Sequence, residues 1–210
     1  DNGKMYGWGN NGSAQIGSRS TGVTIMLEAT VITEHCERES VQVSDFTCLG
    51  DTTVVYFTNN TVYAVGSNGN GVMGIGHNIS NVGMELTACT SVNDKLEEGY
   101  AVNQFCARGD AILYQLRSKE DDRLTWWGLG ANRHNRSLGT SKAAPITTLH
   151  HMELLQQLVD GFSDPTDYVV GSGPSHYSIS AILDRGGRKL WFSGYGHHIH
   201  WSDHASFTMK

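Results

Sequence analysis

An all-β architecture built from repeats is the fold class this sequence predicts, and three observations predict it. First, a short aromatic strand running into glycine recurs four times. The copies are MYGWGNNGSAQIG (residues 5–17), VYAVGSNGNGVMGIG (62–76), LTWWGLGANRHNRSLG (124–139) and LWFSGYGHHIHWS (190–202). Superposed, they put Gly9, Gly66, Gly128 and Gly194 at one structural position, about 60 residues apart, the mark of a repeat array. Second, glycine is abundant, at 25 of 210 residues, while proline numbers only 3, so many tight turns are expected between short strands. Third, β-branched and aromatic runs of strand length alternate with turn residues.

The elements follow in order. After the first glycine loop, residues 24–32 (TIMLEATVI) are β-branched and apolar and are expected to run extended. Residues 41–47 (VQVSDFT) alternate, placing Val41, Val43 and Asp45 on one face and Gln42, Ser44 and Phe46 on the other. Cys48-Leu49-Gly50-Asp51 turns the chain into a strand at 52–58, and Asn59-Asn60 forms a hairpin turn into the repeat strand at 62–66. The second unit repeats this order: a loop of mixed polarity after Gly76, a strand at 99–107, a turn at 108–110 and a strand at 111–116. A charged hairpin (SKEDDR, 118–123) then leads to the repeat strand at 124–128.

In the third unit Leu149, Met152, Leu155, Leu158 and Val159 recur at helical spacing, with Thr148 as N-cap and Gly161 beyond the end. This predicts one inserted surface helix, packed by its apolar stripe. Strands at 168–171, 175–183 and 189–194, with a DRGG turn at 184–187, complete the unit. Each unit thus holds about four strands, one blade of a β-propeller. The expected domain is a single partial β-propeller over residues 1–210, about three to four blades, with repeat strands near 5–9, 62–66, 124–128 and 190–194.

The repeat motifs resemble those of the regulator of chromosome condensation family, whose repeats build a seven-bladed propeller. The family's strand motif is W-G-x-N-x-x-G-Q-L-G. Residues 8–17 (WGNNGSAQIG) match it in length with Ala14 in place of a glycine, and residues 65–74 (VGSNGNGVMG) also match in length. Trp127-Gly128 opens a third copy with three extra residues, and Gly194-Tyr195-Gly196 a fourth without the closing glycine. The upstream element G-x-x-H-[ST] is best kept at residues 170–177 (VGSGPSHY), where the resemblance implies a structural role for His176. Gly50-Asp51-Thr52-Thr53 and Gly109-Asp110-Ala111-Ile112 hold its place without the histidine. Four strand motifs against the seven blades of the family imply part of a longer ring, or open faces that something else covers.

Composition narrows the function classes. Net charge is −6 and no window concentrates Lys and Arg, which argues against direct nucleic-acid contact. No apolar run has the length of a membrane span. Cys36, Cys48, Cys89 and Cys106 lack C-x-x-C spacing and read as reduced, partly buried thiols. The sequons at Asn11, Asn59, Asn78 and Asn135 lie in Asn/Ser-rich turns, where such triplets arise by chance.

Chemistry is sparse. His197, His198, His200 and His204, with Asp203, form the densest group of metal-type ligands, yet their spacing matches no standard zinc site, and no metal is assigned. His134, His150 and His151 are expected to be solvated. No nucleophile elbow is present, and the glycine loops are not followed by a helix that could hold phosphate. Neither catalytic nor cofactor-binding residues are assigned. Trp8, Trp126, Trp127, Trp191 and Tyr63, on the repeat strands, are expected in the core.

The leading expectation is a non-catalytic protein–protein interaction scaffold, part of a larger assembly, binding through rim loops and the helix near 149–159. The resemblance implies two alternatives: a guanine-nucleotide exchange factor for a small GTPase, as in the founding member, or the targeting module of a ubiquitin ligase. It also implies an intracellular setting, cytoplasmic, cytoskeletal or ciliary before nuclear or organellar.

Overall fold

Four antiparallel sheets follow one another along the chain in a computed structural model. The structure describes residues 4–17, 25–31, 41–80, 85–108, 111–132, 144–162, 168–172, 180–185, 189–194 and 204–209. The first sheet pairs β1 (Tyr6–Asn10) with β2 (Ile25–Val31). The second orders β3 (Val43–Leu49), β4 (Thr52–Phe57), β5 (Thr61–Gly66) and β6 (Thr87–Ala88). The third orders β7 (Tyr100–Arg108), β8 (Ala111–Ser118), β9 (Leu124–Gly130) and β10 (Ile146–His151). The fourth orders β11 (Tyr168–Ser172), β12 (Ser180–Asp184), β13 (Lys189–Gly194) and β14 (His204–Met209). Helix α1 (Thr90–Glu97) follows β6, and α2 (Glu153–Asp160) follows β10.

Each four-stranded sheet is a simple meander, one propeller blade. The first strands are the neighbours across blades: β3 lies against β7, and β7 against β11, as inner strands around an axis do. The core lies between the sheets. Val54, Val62 and Ala64 of the second sheet meet Ile112, Tyr114 and Leu129 of the third. The third sheet's other face, with Leu113 and Trp126, meets Ile182 of the fourth. Met5, Val55 and Phe57 join the first sheet to the second. Burying each such large side chain contributes about 1.5–3 kcal/mol, so these seams hold the array together.

The repeat strand is the third of each four-stranded blade, and the structure moves one member of the predicted alignment. Gly9, Gly66 and Gly130 have left-handed φ of 97°, 112° and 109°. Gly66 stands opposite Thr52, and Gly130 stands opposite Ala111, the same place in the next blade. The third copy is therefore Leu129-Gly130-Ala131-Asn132, not Trp127-Gly128, and β9 runs two residues past the expected end. Gly194 keeps its place. Pairing with the fourth strand skips two extra residues between Gly7 and Gly9, between Gly128 and Gly130, and between Phe192 and Gly194.

The helices depart further from expectation. Thr148 and Leu149 are strand residues, and α2 starts only at Glu153, with Met152 as its N-cap residue. Nor is α2 a single insertion. Residues expected to form a mixed loop after Gly76 include β6 and α1, and α1 is the counterpart of α2 one blade earlier. Cys89-x-x-Val92-Asn93-x-x-Leu96 superposes on Met152-x-x-Leu155-Gln156-x-x-Val159, and all of these apolar residues are buried. A helix after the fourth strand thus recurs in both units, and its stripe belongs to the core rather than to a surface decoration. Glu153, Gln157 and Asp160 form the exposed side of α2.

Smaller expectations also change. A β-bulge leaves Ser44 without a partner, so Phe46, not Asp45, shares a face with Val43. The same bulge recurs at Asn103 in β7, giving Val-x-x-Phe in both inner strands. Trp126 is fully buried as expected, but Trp8 is 69% exposed. Cys89 is buried and Cys48 exposed. Of the strand expected at 175–183, residues 180–183 lie in β12 and the remainder falls outside the described residues. Cys36, Asn135 and His176 also lie outside them.

Candidate interaction surface

The glycine loops define one rim of the array, and an asparagine builds each of the two described ones. In the first, Asn11 Oδ1 accepts the Ile16 amide at 2.9 Å, and Ala14 N–H donates to the Asn11 carbonyl at 3.0 Å. In the second, Asn68 Oδ1 accepts the Met73 amide at 3.1 Å, and Gly71 N–H donates to the Asn68 carbonyl at 2.9 Å. The turns close alike: Gly17 donates to the Ala14 carbonyl and Gly74 to that of Gly71. Ala14 and Gly71 share a left-handed φ, 59° and 75°, which explains the family's glycine there. Both asparagines are buried, which makes their pairing obligatory.

These loops also dock between blades. Thr53 Oγ1 donates to the Gln15 carbonyl at 2.8 Å, and Gly76 N–H donates to the Thr147 carbonyl at 3.0 Å. The glycine-rich stretch therefore serves packing, as the repeat pattern implied. Asn68 does more than Asn11: its Nδ2 donates to the His77 carbonyl at 2.8 Å, and its backbone N–H to that of Ser80 at 3.4 Å. The segment 77–80 is thus pinned to the turn while its own side chains are exposed, Ile79 at 64%.

The opposite rim carries the hairpin turns and the helix ends. Asn60, at φ 63°, accepts the Tyr56 hydroxyl at 2.9 Å and donates to the Tyr100 carbonyl at 3.0 Å, tying the second blade to the third. Lys95 Nζ lies 4.5 Å from the Tyr100 ring centre and 4.9 Å from that of Trp127, and pairs with Glu98 at 2.5 Å. Asp121, held by the Ser118 hydroxyl and the Arg123 amide, has its carboxyl pushed below the usual range.

The helices grip the repeat strands through side-chain amides. Asn93 Oδ1 accepts the Val62 amide at 2.7 Å and its Nδ2 donates to the Val62 carbonyl at 3.0 Å. Gln156 accepts the Trp126 amide at 3.0 Å and donates to the Leu124 carbonyl at 3.3 Å. Sequence reasoning missed both clamps; the signal was the apolar-x-x-apolar-amide-x-x-apolar pattern shared by the two helices.

Cys89, Tyr114 and His151, whose titration is also shifted, sit in core or seam positions. Burial pushes the Cys89 thiol up and does the same to the Tyr114 phenol, whose hydroxyl has no hydrogen-bond partner among the described residues. His151, expected to be solvated, packs on Trp127 with ring centres 5.0 Å apart, and desolvation lowers its pKa. His150 beside it on β10 is exposed. His204 opens β14 opposite Gly194, while His197, His198, His200 and Asp203 lie outside the described residues, as does His134. Among the described residues, no three His, Cys, Asp or Glu side chains converge as metal ligands, and no helix is long and apolar enough to cross a membrane.

Neither a protein-family model nor a curated protein matches this chain. Solved structures do. Human WBSCR16 superposes on 100% of the chain with a TM-score of 0.64 at 19% identity. Prp20p from Saccharomyces cerevisiae, described with its binding to Gsp1p and histones, aligns over 92% at a TM-score of 0.44 and 15% identity. Yeast RCC1 (Prp20) bound to Kap60 gives the same three values. The chain spans about half the length of these proteins, 48%, 53% and 52% respectively. In fold, the chain is a partial β-propeller of the regulator of chromosome condensation type.

Proposed function

We propose that this chain is a non-catalytic protein-binding segment of a propeller, and that it engages partner proteins through the rim carrying its glycine loops. One observation carries the reading. Asn68, fully buried, fixes residues 68–80 from both ends, so Ile79 is displayed at 64% exposure on a prearranged frame. A side chain carried on backbone that is held in advance leaves less chain to order on binding, the usual property of an interface anchor. The reading extends to cytoskeletal or ciliary assemblies as its setting.

The second reading, exchange of guanine nucleotide on a small GTPase, comes from the family resemblance and would use the same kind of rim. A nucleotide-release assay separates the two. Small GTPases loaded with a fluorescent guanine nucleotide are mixed with the chain and chased with unlabelled nucleotide. Unchanged release rates are expected; acceleration that Ile79→Asp abolishes would put the exchange reading first. Chemical conversion of a substrate at a site within the chain would overturn the non-catalytic reading.

A further inference from the structure

We infer that Asn70 is a self-modification site, where the chain turns an asparagine into aspartate and isoaspartate without an enzyme. Three Asn-Gly pairs lie among the described residues: Asn11-Gly12, Asn68-Gly69 and Asn70-Gly71. Asparagine is chemically labile, and a following glycine offers its nitrogen with no side chain to block the approach. The Gly71 nitrogen bonds to Asn70 Cγ, the side-chain amide leaves as ammonia with the Gly71 proton, and a succinimide ring closes. Water then opens the ring at either carbonyl, giving aspartate or isoaspartate.

The three pairs share this chemistry and differ in what holds the side-chain amide that must turn. Asn11 is buried, with its Oδ1 bound to the Ile16 amide. Asn68 is fully buried, and both ends of its amide are used, by the Met73 amide and the His77 carbonyl. Asn70 is half-buried, and its side chain makes no hydrogen bond among the described residues. The attacking nitrogens do not separate the pairs. Gly12 donates to Asn10 Oδ1 at 2.8 Å, Gly69 to Ser67 Oγ at 3.3 Å and Gly71 to the Asn68 carbonyl at 2.9 Å. Reaction at Asn70 thus waits for one turn bond to open, whereas at Asn11 and Asn68 a buried, bonded amide must also come free. The first loop has Ser13-Ala14 where the second has Asn70-Gly71, so of these two loops only the second carries the site.

The product changes the loop. Residues 67–80 contain no Asp, Glu, Lys or Arg, so conversion gives the segment its first carboxylate. Isoaspartate also lengthens the main chain by a methylene inside the Asn68–Gly71 turn. Asn68 both closes that turn and fixes residues 77–80, so the change loosens the frame under Ile79. This last consequence rests on the rim function proposed above; the conversion itself does not.

The test incubates the whole native chain in mildly alkaline buffer and follows each pair by peptide mass spectrometry with fragmentation. Asn70 is expected to convert first, with Asn11 and Asn68 slower by at least about tenfold. In the urea-unfolded chain the three are expected to convert at similar rates, since only the fold separates them. Asn70→Ser, which copies the first loop, is expected to remove the early conversion and leave Asn11 and Asn68 as slow as before. Conversion is read as mass, so it stands or falls separately from binding by the rim. Native conversion at Asn11 or Asn68 that matches Asn70 overturns the proposal. So does an Asn70 amide kept more than about a hundredfold longer in the native chain than in the unfolded one.

Discussion

The first and second glycine loops share one hydrogen-bond plan and differ in what surrounds it. Asn11 and Asn68 each hold a turn by accepting the amide five residues on, and both turns close on left-handed glycines, Gly17 and Gly74. Yet Gly66 is enclosed while Gly9 is not. A Cβ on Gly66 would stand 2.2 Å from the Asp51 carbonyl oxygen and 3.1 Å from the Gln15 Cα, whereas one on Gly9 would meet no atom within 4 Å. Conformation alone calls for glycine in the first loop; conformation and close backbone approach call for it in the second. Identical motif residues therefore carry different energies, set by the β3–β4 turn beside Gly66 and by the first loop at Gln15.

Substitution at these glycines is the hardest test of that difference. Gly66→Ala is expected to cost more than about 3 kcal/mol, because backbone must move. Gly9→Ala should cost only the left-handed strain, about 1–2 kcal/mol. Equal losses in urea unfolding would break the comparison. Next in size, Asn68→Ala removes bonds to both Met73 and His77 at a fully buried site, and about 3 kcal/mol is expected. Asn11→Ala removes one such bond, for about 1–2 kcal/mol.

Ala14→Gly works in the other direction. It relieves a left-handed alanine where the second loop already has Gly71, and a gain of up to about 1 kcal/mol is expected. The reverse change, Gly71→Ala, is opposed by Thr147 Cγ2, which a Cβ would approach to 3.0 Å. The smallest effect is a pH dependence. His151 of the third sheet takes the place of Ala88 of the second, opposite Trp127 as Ala88 is opposite Tyr63. Desolvation lowers its folded pKa, so the unfolded chain binds the proton more readily. Stability is then complete above the unfolded value near 6.5 and falls as pH drops through it. His151→Ala is expected to flatten that part of the urea midpoint–pH curve.

Strands were legible in the sequence because β-branched runs and turn residues are local signals, and Asn59-Asn60 and Ser118–Arg123 turn where expected. The third copy slipped by two residues because Trp127-Gly128 mimics the motif. Only backbone conformation and pairing show that Gly130 holds the left-handed position. Helix α1 escaped notice because just Val92 and Leu96 mark its buried face amid polar residues. It stands out once α2 is seen as its counterpart. The exposure of Trp8 and Phe46 was not readable either, since it depends on what lies across the blade seam. Of the candidate surface, the loops were visible as repeats, but the asparagine anchors and the display of Ile79 are tertiary facts.

Amide exchange at two positions tests most directly that the glycine loops are one structural device. Ile16 and Met73 amides, each donated to an asparagine side chain, are predicted to be slow in the native chain. In Asn68→Ala, Met73 is predicted to exchange fast while Ile16 keeps its protection. Rapid exchange of both amides in the unaltered chain would contradict the account.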